Sequence, residues 1–304
     1  MRADPAALLE RFLARPRVAF INAVLDTYGR APGGLLANGL AFTALFASIP
    51  TALVALGLAG WIADDPAVQA SIADALVATF PPLADVIDAS LVALTDGAPV
   101  TGLIGLVGLI WAVSQLYVTV DVAFARVFTQ TAERDLVGRT ARGFLWVAMV
   151  IAVVVGAIVA GTLLAAAEAL LPSGTPLGPG LVDVVTSWPM LVVLAIVVVG
   201  AIYRFVPSRN PVWAAVLVPA VAVGLTIALL TQVFAFLAPR IVGFASVVGP
   251  LATIFIALAW LSFSFQALLL GGAWVAVDDR RRRVDADLAL AAPAATAEPG
   301  GGGE

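Results

Sequence analysis

GPLATIFIALAWLSFSFQALLLGGAWVAV, residues 249–277, runs directly into DDRRRR. No side chain in this stretch is charged, and it is longer than the roughly 20 apolar residues a helix needs to cross a hydrocarbon core. Its apolar residues are continuous rather than alternating, which excludes a strand of a lipid-facing barrel. Lipid supplies no partner for backbone N–H and C=O groups, so such a segment must bond internally as a helix. The same test selects six runs, at about 36–61, 101–121, 143–171, 184–205, 212–238 and 247–277. The expected fold is all-α, a polytopic bundle of six transmembrane helices.

Composition supports that reading across the whole chain. Of 304 residues, 62% are hydrophobic and 12% charged, where soluble domains are about half apolar and about a quarter charged. The first run follows some 35 residues of charged and turn-forming sequence, too long a preamble for a secretory signal, so it reads as an uncleaved span. There is no cysteine and no histidine. Disulfides, thiolate nucleophiles and imidazole bases or metal ligands are therefore excluded, and no cofactor or metal site is expected.

Arginine supplies all the basic residues, and its placement orders the topology. Arg2, Arg11, Arg15, Arg17 and Arg30 precede the first run; Arg126, Arg134, Arg139 and Arg142 follow the second; Arg204 and Arg209 follow the fourth; Arg280 to Arg283 follow the sixth. Only Arg240 falls on the alternate connections, which carry Asp64, Asp65, Asp74, Asp85, Asp88, Asp96 and Asp183. Cytoplasmic loops retain Arg and Lys, so both termini are expected inside. Trp61 and Trp188 then fall at outer ends and Trp146, Trp213 and Trp274 near inner ones, where indoles prefer the interface. Trp111 and Trp260 lie deeper and read as packing residues.

Outside the bilayer the sequence predicts three segments. Residues 1–35 form a cytoplasmic interfacial stretch, in which Leu8, Leu9, Phe12, Leu13, Phe20, Ile21, Val24 and Leu25 oppose the arginines. Residues 64–95, in the first outer connection, form two short amphipathic helices separated at Pro81-Pro82, lying on the bundle or capping a cavity. Residues 278–304 form a basic anchor and a tail whose last twenty residues, rich in Ala, Pro and Gly, are expected to be disordered. The membrane domain is residues 36–277.

Four stretches resemble the YihY/virulence factor BrkB family of inner-membrane proteins: NGLAFTALFASIP, WAVSQLYVTVDVAFARVF, YRFVPSR and the opening segment. The matching positions are Ala41, Phe42, Pro50, Arg126, Arg204, Phe205, Pro207, Gly249, Trp260, Gly272 and Ala273. The resemblance implies six helices, both ends inside, and a bacterial cytoplasmic membrane. Ribonuclease, resistance factor and transporter have all been attached to the family, so it implies an architecture more than an activity. Ala125, Val248 and Trp274 stand where the family often has Asn, Tyr and Glu, which makes this a divergent member.

A few polar residues interrupt the apolar runs. Asp121, near the inner end of the second run, either snorkels beside Arg126 or meets Arg126 or Arg204 in a cytoplasmic gate. Gln115 lies deeper, where a buried amide needs partners; Thr231, Gln232, Ser262, Ser264 and Gln266 are the candidates. Such a group either ties helices together or lines a polar path. Pro50 and Pro219 are expected to kink their helices and free carbonyl acceptors.

Three functions follow: a permease or exporter of a lipid or small solute, a non-transporting envelope scaffold, and a nuclease. The last is disfavoured, because net charge is −4, His is absent and the cytoplasmic loops are short. The expected partners are thus the lipid bilayer and a lipid or solute, not nucleic acid, and no oligomeric state is implied. Reporter fusions at residue 292 and within 205–210 should behave as cytoplasmic and fusions near 85 or 176 as external, read by paired phosphatase and fluorescence reporters. Reversal at any one site would break the alternation.

Overall fold

The computed structural model describes residues 15–62, 107–128 apart from 109 and 113, 188–207, 210–244 and 249–295. The expected third span at 143–171 and outer helices at 64–95 lie outside the described residues. So do residues 1–14, Arg134, Arg139, Arg142, Trp146 and the end of the tail. Six helices are described: α1 (Pro16–Arg30), α2 (Gly33–Ile62), α3 (Ile110–Val127), α4 (Trp188–Phe205), α5 (Trp213–Phe244) and α6 (Gly249–Ala295). No strand occurs among the described residues. Four helices, α3 to α6, are long and apolar enough to cross a membrane, and α1 with the start of α2 makes a fifth candidate bent by 58°.

Local chemistry sets the helix ends. Pro16 starts α1 where its missing N–H costs nothing. Pro32 stops it, because it cannot donate and it restricts Ala31 before it. Gly33 then lets the chain turn against the Tyr28 ring, since a Cβ there would lie 2.2 Å from Tyr28 Cε2. α2 and α5 both continue as helix through Pro50 and Pro219.

The tail departs from its expected disorder. α6 continues to Ala295, so residues 285–295 are helical. Two ion pairs at i,i+4 spacing, Asp278 with Arg282 and Asp279 with Arg283, each at 2.8 Å, support the helix as it leaves the apolar run. Ala and Leu dominate beyond them, and both are strong helix formers.

Within lipid an apolar side chain gains little by leaving it, so helices associate through close packing at small residues. Gly224 of α5 lies against α4 so tightly that a Cβ would sit 2.8 Å from the Ile196 Cα. Gly271 of α6 admits the Tyr203 side chain from α4; a Cβ there would lie 2.2 Å from its hydroxyl and 2.4 Å from Val223. Tyr203 is fully buried, and its hydroxyl donates to the Leu268 carbonyl at 2.8 Å. Phe124 of α3 packs on the same ring at 6.3 Å between centroids. Around this centre lie Val127, Val216, Leu269, Ala273 and Val275. The outer surface is the reverse, with Val197, Leu217, Leu229, Phe236 and Phe255 exposed as a belt.

The two glycines of the α4–α5 contact should separate cleanly on substitution. Gly224→Ala must move backbone and should destabilise the protein by about 1–3 kcal/mol. A Cβ at Gly200 would meet only the Ala220 methyl, at 3.6 Å, so Gly200→Ala should be neutral or slightly stabilising. Thermal unfolding in one detergent measures both, and equal effects would refute the packing described.

Candidate functional site

The end of the bundle that carries Arg204 and Arg280 to Arg283 is joined by polar contacts between helices far apart in sequence. Asp279 of α6 accepts the Val212 N–H at 3.0 Å, placing a carboxylate at the start of α5, where it meets an unpaired donor and the positive end of the helix dipole. Asp279 also holds Arg283, whose Nη2 reaches the Asn210 carbonyl at 3.5 Å. Arg281 lies 4.7 Å above the Phe20 ring of α1, and Phe20 meets Trp274 edge-on at 6.1 Å. Thus the start of α1, the α4–α5 connection and the α6 exit share one end.

Arg204 stands in this group with no carboxylate partner among the described residues. Its guanidinium lies 5.7 Å from the Trp213 ring centroid, and its Nη1 is buried with no hydrogen-bond partner among the described residues. Asp121, on α3, is buried and has a partner. Arg126 is exposed.

The deeper polar residues divide into separate sets. Gln115 and Gln232 are both exposed and neither is brought to the others. Thr231 accepts the Trp260 indole N–H at 3.3 Å, tying α5 to α6. Ser264 folds back on its own helix, donating to the Trp260 carbonyl. Gln266 Nε2 donates to Ser262 Oγ at 3.2 Å, and Ser262 Oγ donates to Asn38 Oδ1 on α2. Asn38 went unselected in the sequence, although it is the one amide in the NGLAF start of its run.

This last row leaves hydrogen-bonding capacity unused. Among the described residues the Asn38 amide nitrogen, with two donors, and the Gln266 amide oxygen, an acceptor, have no partner. Asn38 is exposed while Ser262 and Gln266 are half-buried, so the row opens to the surface of the helix pair. It is neutral, with no acid–base pair, and no cluster able to hold a metal ion occurs among the described residues. Its chemistry is recognition of oxygen and N–H groups.

Long lipid-facing helices, small-residue contacts and a polar row inside an apolar helix define a multi-pass membrane protein. The chain belongs to the virulence factor BrkB family, whose model matches residues 24–296. No curated protein and no solved structure matches it.

Ser262 joins two amides, so Ser262→Ala should strand both and lower stability by about 0.6 to 1.7 kcal/mol, the range for membrane hydrogen bonds. Gln115→Leu, at an exposed amide, should cost nothing or stabilise. Unfolding of both variants in detergent gives the comparison; a larger loss at Gln115 would show that the row holds no helices together.

Proposed function

We propose that this family member is a six-span protein of the bacterial cytoplasmic membrane, with both termini inside, that carries a lipid or small polar solute across the bilayer. The observation that carries the reading is the Asn38–Ser262–Gln266 row, which lies within apolar helices, opens to the surface and keeps donors and an acceptor without a partner among the described residues. A row serving only to bind α2 to α6 would leave no such capacity, because unpaired polar groups in hydrocarbon are costly. Two amides and a hydroxyl suit a phosphate ester, a carbonyl or a hydroxyl-bearing headgroup.

The topology is supported by the clustering of arginines. Arg15, Arg17, Arg126, Arg204 and Arg280 to Arg283 belong to the end where α4 finishes and α6 exits, whereas Arg240 lies some 27 residues along α5, about 40 Å away. No enzymatic step is part of the proposal; neither His nor Cys is available for one.

A scaffold role has one observation of its own. The α6 extension beyond the arginines exposes Val284 and Leu288, an apolar pair one turn apart. Flux decides between the two. In liposomes the purified protein should move a labelled phospholipid or release a trapped solute, with the rate falling at least several-fold on Gln266→Leu and unchanged on Val284→Ser. Absence of flux over zwitterionic and anionic phospholipids, sugars and amino acids would leave the scaffold as the reading to keep.

A further inference from the structure

The depth of α1 can be read by using α6 as a ruler. Phe20 meets Trp274, and Asn38 meets Ser262. Along α6 those two partners are twelve residues apart, about 18 Å at 1.5 Å per residue. On the other side the chain must climb the same distance between Phe20 and Asn38. Gly33 to Asn38 supplies only about 7.5 Å of it, and the turn at Ala31 and Pro32 a few ångströms more. If α1 lay flat on the membrane it would contribute nothing and the ladder would not close. A helix inclined by the observed 58° to α2 rises about 0.8 Å per residue, or about 8 Å from Phe20 to Arg30, and the sum then matches.

A second ladder follows the upper limb. Gly272 lies beside Phe124, with a Cβ there 3.5 Å from the ring, and Gly108 lies beside Pro50 at the same distance. Sixteen residues of chain, about 24 Å of helix, separate Phe124 from Gly108. Pro50 thus stands well along the apolar part of α6, and α2 continues past it to Ile62.

We infer that α1 is the lower limb of a broken first span whose upper limb is α2, with its break at Ala31–Pro32 inside the leaflet at the basic end. The run 36–61 expected from apolar length falls within α2, and α1 adds to it a limb that composition alone weighs as surface. Its surface explains how it tolerates that depth. Ile21 and Leu25, one turn apart, are 56% and 51% exposed and meet acyl chains. Asn22, Asp26 and Arg30 form the neighbouring row, where Arg30 pairs with Asp26 at 3.7 Å. Helical Cβ atoms tilt toward the N-terminus, so both charges lean back toward the headgroups and can snorkel to them.

The inference does not depend on transport. The chain has no cysteine, so single cysteines report without a background. Spin labels at Arg17→Cys, Ile21→Cys, Leu25→Cys and Leu35→Cys, all exposed positions, are to be measured in phosphatidylethanolamine/phosphatidylglycerol liposomes for oxygen against nickel-chelate accessibility. Depth should increase at each step, by about 6 Å from residue 17 to residue 25, while Asn22→Cys stays nickel-accessible. Equal, shallow depths at 17, 21 and 25 with a single jump at 35 would overturn the broken span and leave α1 on the surface.

Discussion

Tyr203 against the bare backbone of Gly271 is the contact on which the rest of the bundle depends. The ring arrives from α4, its hydroxyl ends on the Leu268 carbonyl of α6, and Phe124 of α3 closes over it. Three helices therefore meet at one side chain. In water burial of so large a ring would itself drive folding, but in lipid that gain is small. What remains is dispersion across a close interface and one hydrogen bond whose alternative is an unpaired hydroxyl in hydrocarbon. Gly224 and Gly272 extend the same solution to the α4–α5 and α3–α6 contacts.

The basic end is held by a different force. There, groups meet at the membrane edge, and charge can be used without the roughly 2.5 to 3.5 kcal/mol insertion cost at a helix centre. Asp279 serves twice, at the start of α5 and for Arg283, while Arg281 and Trp274 clasp Phe20. Of the arginines that follow the apolar part of α6, Arg281 reaches α1 and Arg283 reaches the α4–α5 connection, while Arg282 pairs within its own helix.

Helix type and the positions of α3 to α6 were legible because continuous apolar length has one physical meaning in a chain of this composition. Family membership was legible from NGLAFTALFASIP and YRFVPSR, and the match over 24–296 agrees. The helical tail was not, because Ala, Leu and Pro composition does not register two ion pairs made at i,i+4 spacing. Among the polar residues of the row, Ser262 and Gln266 stand out in the sequence as polar marks in an apolar run, and Asn38, at the start of its run, does not. Hydropathy averages over a window, whereas a partnership across 224 residues depends on which faces meet. Gln115 was chosen for its depth, and depth says nothing about whether a side chain faces protein or lipid.

A neutral row suits lipid-facing recognition better than the charged gate would. A buried carboxylate and guanidinium are costly when separated, so a passage that opened between them would meet that cost in every cycle. Amides and hydroxyls exchange partners at about 0.6 kcal/mol each in membranes, so a headgroup oxygen can replace Ser262 on Asn38 with little change in energy. Asn22, Asp26 and Arg30 are all exposed on α1, and Arg30 pairs with Asp26, so this helix too carries its polar groups on its surface rather than in the bundle interior.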